Sequence, residues 1–271
     1  MKAIISHDVD HITVLEHKKD LIIPKFIIRS LIELGLGYAS FSEIKDRFGE
    51  CLINKWQNIE ELIKFDKKHE VPSTFFVGVT DGKGLSYSLN NAVFWIKQIL
   101  NEGFDVGVHG IAYKNYDLIK TEFETFKKIT NKNAFGIRMH YLRHNENTLN
   151  FLSNTGYLFD SSIYEFKNPY KVDNLWEFPL HIMDSYIFYK NARWQNQKLY
   201  DAQENTKKMI EVGIKNNINY FTILYHDRHF SNSFKALKDW YIWLIEYLST
   251  NRIELTSYRE AIAELETIAS R

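Results

Sequence analysis

Within Ser6-His7-Asp8-Val9-Asp10-His11, two carboxylates and two imidazoles fall inside five residues, directly after the apolar run Ala3-Ile4-Ile5. Carboxylate oxygen and imidazole nitrogen are the donors that a divalent zinc, cobalt or nickel ion prefers. Two neighbouring carboxylates also permit a division of labour, one holding the ion and the other free as a base. A plainer reading is an N-terminal turn with local aspartate hydrogen bonds. Three more segments could contribute. His109 is flanked by Gly107 and Gly110, which permit close backbone approach to a bound group. Arg138 and His140 stand two residues apart, so on a strand they share one face, and Arg138 could aim an acid by a bidentate pair. His226 closes the apolar run Phe221-Thr222-Ile223-Leu224-Tyr225 and suits a proton donor near neutrality. The alternatives are a structural histidine at 109, a basic surface strand at 136–144 and a buried His226 beside Asp227. Asp160-Ser161-Ser162 and Trp176-Glu177-Phe178-Pro179 could form pocket walls, with one acid there orienting His226.

These side chains need a scaffold that brings distant segments to one rim. Short β-rich runs are expected at 2–6, 73–77, 105–108, 136–140, 176–179, 220–225 and 252–256. Helical patterns lie between them at 59–69, 91–103, 117–130, 148–155, 202–216 and 234–250. This alternation predicts an α/β fold with a largely parallel sheet, in which the carboxyl ends of the strands carry the chemistry. His7, Asp8, Asp10, His109, Arg138, His140 and His226 all fall at or just after such ends. Residues 12–58 break the alternation and read as a helical insertion. Within it, 21–37 forms an amphipathic helix, interrupted by Lys25, Arg29 and Glu33 and more suited to packing on a core than to lying on a membrane.

The 271 residues fit one barrel-sized domain spanning 1–271, and no repeat, low-complexity stretch or linker divides them. Thirty-four basic residues balance thirty-four acidic ones, which leaves no global field for nucleic acid. The single cysteine, Cys51, excludes an internal disulfide framework and fits a reducing compartment. The opening residues read as a strand rather than a signal peptide, and no run reaches a membrane span. The expected location is the cytoplasm, with peripheral membrane contact left open. Aromatics at 15% are abundant; most would fill core, while exposed faces could stack on sugar rings.

Taken in order, the segments resemble the polysaccharide deacetylases, carbohydrate esterase family 4. Ser6-His7-Asp8-Val9-Asp10 resembles that family's opening aspartate pair, and His109 the first histidine of its His-Ser/Thr-x-x-His motif. Arg138-Met139-His140-Tyr141 resembles Arg-x-Pro-Tyr, Gly156-Tyr157-x-x-Asp160-Ser161-Ser162 resembles Gly-Tyr-x-x-Asp-Ser, and Leu224-Tyr225-His226 resembles the final Leu-x-His. The likeness covers residues 1 to about 230, and is greatest to a divergent subgroup with Asp-Val-Asp-His and Arg-x-His-Tyr-Leu-Arg, whose members are often tied to O-antigen or capsule assembly. It implies a distorted (β/α)7 barrel and a bound divalent metal, zinc first, with cobalt or nickel as alternatives. Asp10 and His109 would be ligands, Asp8 the base, Arg138 its partner and His226 the acid that protonates the leaving amine. The implied substrate is an N-acylated amino sugar, carried as a nucleotide sugar or a lipid-linked oligosaccharide. One departure stands out. Tyr113 occupies the place of the second metal histidine, and His140 is the expected replacement, with His11 and His7 as weaker candidates. Two other readings follow: a barrel that has lost catalysis and kept a sugar groove, or a metal hydrolase of a non-sugar amide or ester.

Overall fold

The computed structural model describes residues 1–269. Its sheet is built on strand β1 (Lys2–Val9), whose residues from Ala3 onward are buried. Strands β2 (Thr74–Val77), β3 (Asp105–Gly110), β4 (Ile137–Met139) and β5 (Phe159–Asp160) follow on one side in chain order, all parallel. The short hairpin of β6 (Tyr170–Val172) and β7 (Leu175–Glu177) extends that edge, with β7 beside β5. On the other side of β1 lie β9 (Tyr220–Leu224) and then β8 (Leu180–Met183), again parallel, while β10 (Glu254–Leu255) pairs with the first residues of β1. The sheet curls until its two flanks meet. Leu180 N–H donates to Ile163 O at 2.7 Å, and Glu165 N–H donates to Leu180 O at 3.2 Å. The result is a distorted (β/α)7 barrel with β1, β2, β3, β4, β5, β8 and β9 as its staves, as the family resemblance implies; the sequence pattern by itself gives the parallel α/β sheet.

Among the described residues, ten helices wrap the strands: α1 (Ile22–Gly35), α2 (Phe41–Leu52), α3 (Ile59–Lys68), α4 (Leu89–Asn101), α5 (Tyr116–Thr130), α6 (Thr148–Thr155), α7 (Asp184–Phe188), α8 (Leu199–Lys215), α9 (Lys235–Thr250) and α10 (Tyr258–Ala269). Their limits follow local chemistry. Ser40 and Glu43 form a reciprocal capping box on α2, and Asn115 caps α5. Helix α6 stops at Gly156, whose φ of +102° suits glycine. The insertion at 12–58 contains a short 3-10 turn, Val14–His17, then α1 and α2. Phe26 and Trp56 join the core that contains Ile5 and Val9.

The sequence pattern misses several elements. Strand β1 runs to Val9 rather than ending at Ser6, because Ser6–Val9 pair with β2. His7 and Asp8 therefore lie within the strand, not beyond it. The run expected at 176–179 divides into β7 and β8 around Pro179, whose ring nitrogen has no proton for a ladder. The two-residue β5, the hairpin strand β6, and helices α7 and α10 have no counterpart in the sequence pattern, whereas α2 falls within the helical insertion expected at 12–58.

Candidate metal centre and proton-transfer site

Strand periodicity sorts the opening motif. Ser6 and Asp8 face the barrel interior, and His7 points the other way. The His7 ring lies between Tyr225 O (3.0 Å) and Asp66 Oδ2 (2.9 Å), fully buried and away from the rim. It ties β1 to α3 and is not part of the site. Inside the barrel, Arg138 from β4 spans the interior. Its Nη1 donates to Ser6 Oγ (2.8 Å) and Asp8 Oδ1 (3.1 Å), its Nε to Ser161 O (2.8 Å), and its Nη2 to Ser161 Oγ and Tyr258 Oη (2.9 Å each). The guanidinium also lies 4.5 Å from the centre of the Phe76 ring. Asp8 is thereby fixed at Oδ1, and its Oδ2 stands 3.8 Å from His109 Nε2.

Asp10, His109 and His140 converge just above. Asp10 Oδ1 is 3.1 Å from His109 Nε2 and 3.2 Å from His140 Nδ1, and the two ring nitrogens are 3.1 Å apart. The far side of each ring decides what these atoms can offer. His109 Nδ1–H donates to Arg138 O (3.0 Å), and His140 Nε2–H donates to Lys83 O (3.1 Å). In the neutral form of each ring, with that one proton committed, His109 Nε2 and His140 Nδ1 turn lone pairs toward Asp10. A proton can serve one such pair at a time, whereas a divalent ion serves all three donors. The set of one carboxylate oxygen and two imidazole nitrogens suits zinc, cobalt or nickel, and three protein ligands leave room for a reacting group. Burial raises the Asp10 carboxyl, but the imidazoles of His140, His109 and His226 reverse this and hold it well below the usual carboxylate range. Burial lowers His109, and the carboxylates of Asp8 and Asp10 override that effect and raise it.

Tyr113 lies elsewhere, beside the cations of Lys114 and Arg143. His11 lines the same cavity but does not join the three donors: its Nδ1 is 3.0 Å from His17 Nε2, and His17 in turn donates to Asp20.

His226 occupies the opposite wall, with Nε2 3.7 Å from Asp10 Oδ2. Its Nδ1–H donates to Asp184 Oδ1 (2.7 Å) and its backbone N–H to Asp184 Oδ2 (2.9 Å). His229 Nδ1–H donates to the same Oδ2 (2.7 Å). Burial lowers the His226 imidazole, but Asp184, with Asp10 and Asp8 beyond it, pushes it up to about 10. The acid that orients His226 is thus Asp184, not Asp160 or Glu177. Those two pair with each other deep in the barrel, where burial raises both carboxyls. Nor is it Asp227, whose Oδ2 instead accepts from Asn58 N–H. Burial pushes the Asp227 carboxyl up to about 8.

Loops after the strands complete the site. Glu122 of α5 accepts from Ile111 N–H and Ala112 N–H and from Thr80 Oγ, which fixes the chain just past His109. Gly84, at φ +85°, lies against His140 and Tyr141; a Cβ there would be 2.4 Å from Tyr141 Oη and 3.1 Å from His140 Nε2. Tyr141 and Leu142 both adopt left-handed backbone (φ +60° and +52°), a strained pair directly after His140. A cavity of about 380 Å³ opens above these groups, lined by Asp8, Asp10, His226 and Arg228 on the barrel and by Lys25 and Arg29 of α1.

Asp184, His229, Glu122 and Gly84 escape the sequence reading. Asp184 carries the one signal that could have found it. It directly follows β8, as Asp10 directly follows β1, but β8 itself goes unseen behind Pro179.

No protein-family model matches the chain, and no curated protein matches its sequence. Solved structures match its fold. A protein assigned as a polysaccharide deacetylase from Mycobacterium smegmatis aligns with a TM-score of 0.65 at 14% identity, covering 99% of this chain and 91% of the other. The Puue allantoinase aligns at 0.58 and 16% identity, covering 75% and 70%. A protein assigned as a polysaccharide deacetylase from Pseudomonas aeruginosa PAO1 aligns at 0.56 and 17%, covering 77% and 72%. The chain has the polysaccharide-deacetylase fold, so the likeness that its motifs suggest extends to the architecture.

Proposed function

We propose that this chain is a metal-dependent deacetylase of the polysaccharide deacetylase family, acting as one catalytic domain on an N-acylated amino sugar during assembly of a surface polysaccharide in the cytoplasm. The observation that carries the reading is the convergence of Asp10 Oδ1, His109 Nε2 and His140 Nδ1, with both rings committed on their far sides to backbone carbonyls. A divalent ion held there supplies Lewis acidity and lowers the pKa of water at the site towards ~7.

The chain's own residues supply the rest. Asp8, pinned at Oδ1 by Arg138, takes the proton of the attacking water at Oδ2. His226 carries the complementary proton on Nε2, and Asp184 holds its Nδ1–H so that Nε2 faces the cavity. Delivery of that proton to the departing nitrogen makes an amine a competent leaving group. Water thus contributes its hydroxyl to the acyl carbon, and the amine leaves neutral. Tyr141 and Tyr186 stand exposed at the cavity and offer ring faces to a sugar.

The test is release of acetate from N-acetylglucosamine oligomers by protein stripped with chelator and reloaded with zinc, cobalt or nickel. Turnover that needs the metal and the sugar supports the proposal. A second reading, a metal hydrolase of a non-sugar amide, is favoured by the likeness in fold to an allantoinase. Metal-dependent turnover of such an amide, with none of the sugar, would select it.

A further inference from the structure

The insertion carries a surface unlike the rest of the molecule. Of nineteen exposed large hydrophobic side chains among the described residues, ten lie within 12–58. They include Ile28 (58% exposed) and Leu31 (54%) on α1, and Phe41 (76%) and Leu52 (88%) on α2. No helix among the described residues is long and apolar enough to cross a membrane. Exposed apolar arcs on two packed helices call for a covering surface.

The charges identify the surface. Successive helical residues turn by about 100°. Around α1, Phe26, Ser30 and Glu33 form the buried face. Lys25 and Arg29 form the next arc and border the cavity. Ile27, Ile28 and Leu31 form the arc beyond, facing outward. Lys18 and Lys19 extend the cationic border and are exposed. None of these four cations has an ion pair among the described residues. Every acid between residues 12 and 40 is engaged: Glu16 by Thr13, Ser88 and Asn91, Asp20 by His17 and Ser86, and Glu33 by Arg47 and Gln195. On α2 the exposed Asp46 is matched by the exposed Lys45, so the face presents apolar side chains edged by the unbalanced positive charge of Lys18, Lys19, Lys25 and Arg29. A second copy of the chain would offer the same cation-edged face and no free acid of α1 to pair with it.

We propose that α1 and α2 dock this protein on an anionic lipid bilayer, with the apolar plate at the acyl boundary and Lys18, Lys19, Lys25 and Arg29 among the headgroups. Docked this way, the cavity mouth meets the headgroup layer beside Lys25 and Arg29. Access to a membrane-borne sugar there rests on the function proposed above; the docking itself does not.

The test is co-sedimentation of the full chain with vesicles of phosphatidylcholine alone, and of equal parts phosphatidylcholine and phosphatidylglycerol. Binding is expected to the second and to fall as salt is raised. Ile28→Glu with Leu31→Glu should lower the vesicle affinity by at least about tenfold. Each of Lys25→Gln and Arg29→Gln should lower it roughly fivefold. Phe94→Glu, on the exposed face of α4, should leave it unchanged. Circular dichroism and metal content confirm that each variant folds. Absence of binding to the anionic vesicles, equal binding by the Ile28/Leu31 variant, or a dimer in sedimentation velocity that this variant dissociates without changing vesicle binding would overturn the proposal.

Discussion

Two clusters in this molecule have the same composition, one buried or half-buried aspartate and two histidines, yet they differ in where the protons sit. In the first, His109 and His140 spend their N–H groups on Arg138 O and Lys83 O and turn bare nitrogens toward Asp10. In the second, His226 and His229 both give Nδ1–H to Asp184, which also accepts the backbone N–H of His226. With both rings neutral, the first leaves electron pairs facing one another, an arrangement that a cation can fill. The second is satisfied as it stands and calls for none. Residue type and proximity describe both equally well; the hydrogen bonds on the far side of each ring separate an ion site from a device that aims a proton donor.

The largest effect should come from the first cluster. Asp10→Ala or His140→Ala should abolish bound metal, as read by elemental analysis, whereas His229→Ala should leave the metal content at the wild-type level. Retained metal in the first pair, or its loss in the third, would invert the comparison.

Next in size is the proton donor. His226→Gln should keep the metal and reduce kcat on an amide substrate by roughly 10²- to 10⁴-fold. An activated ester, whose leaving group needs no proton, should suffer far less. Equal losses on both substrates would reduce His226 to a structural role.

Asp8→Asn should likewise abolish turnover with metal retained. Loss of metal in that variant would exchange the roles of Asp8 and Asp10.

A smaller effect tests the loop that holds His140. Gly84→Ala places a Cβ against Tyr141 Oη and His140 Nε2 at a left-handed backbone position. Metal affinity should fall roughly 10- to 100-fold, the size expected when a partner that orients a ligand is disturbed.

The smallest concerns stability. Burial raises the Asp184 carboxyl, but His226 and His229 override it and hold it well below its ordinary range. A depressed carboxyl contributes stability that is fully present above about pH 4 and lost as pH falls further. Asp184→Asn should therefore cost about 2–3 kcal/mol near neutrality, in line with lost hydrogen bonds to a charged group, and should flatten the acid limb of a stability profile. An unchanged acid limb would show that Asp184 contributes no linkage.

Much of this architecture is legible in the sequence because the strands of a parallel barrel are buried on both faces and read as apolar runs. The strands around Ile4, Phe75, Val106 and Ile223 belong to that class. What escapes is short or interrupted: β5 has two residues, and β8 is cut from β7 by Pro179. Asp184 vanishes with β8. The site residues taken from the motifs meet in space, but their geometry depends on contacts that no local pattern contains. The carbonyl of Lys83, 57 residues from His140, fixes which nitrogen of that ring is bare. His7 illustrates the converse. Its place in a charged motif suggests a ligand, and a one-residue step along β1 sends it to the outer face.

Arg138 has a further consequence, one of timing rather than geometry. It braces Asp8 while bonded to Tyr258 on α10, and Tyr258 lies 252 residues after Ser6, which shares the same cluster. During synthesis at about 5–20 residues per second, that interval lasts roughly 10–50 s. Throughout it the first strand lacks one of its partners, and the guanidinium, made 132 residues after Ser6, lacks Tyr258 for the remaining 120. The cluster that aims Asp8 thus closes only after Tyr258 has left the ribosome, and no nascent fragment that stops short of it contains the whole brace.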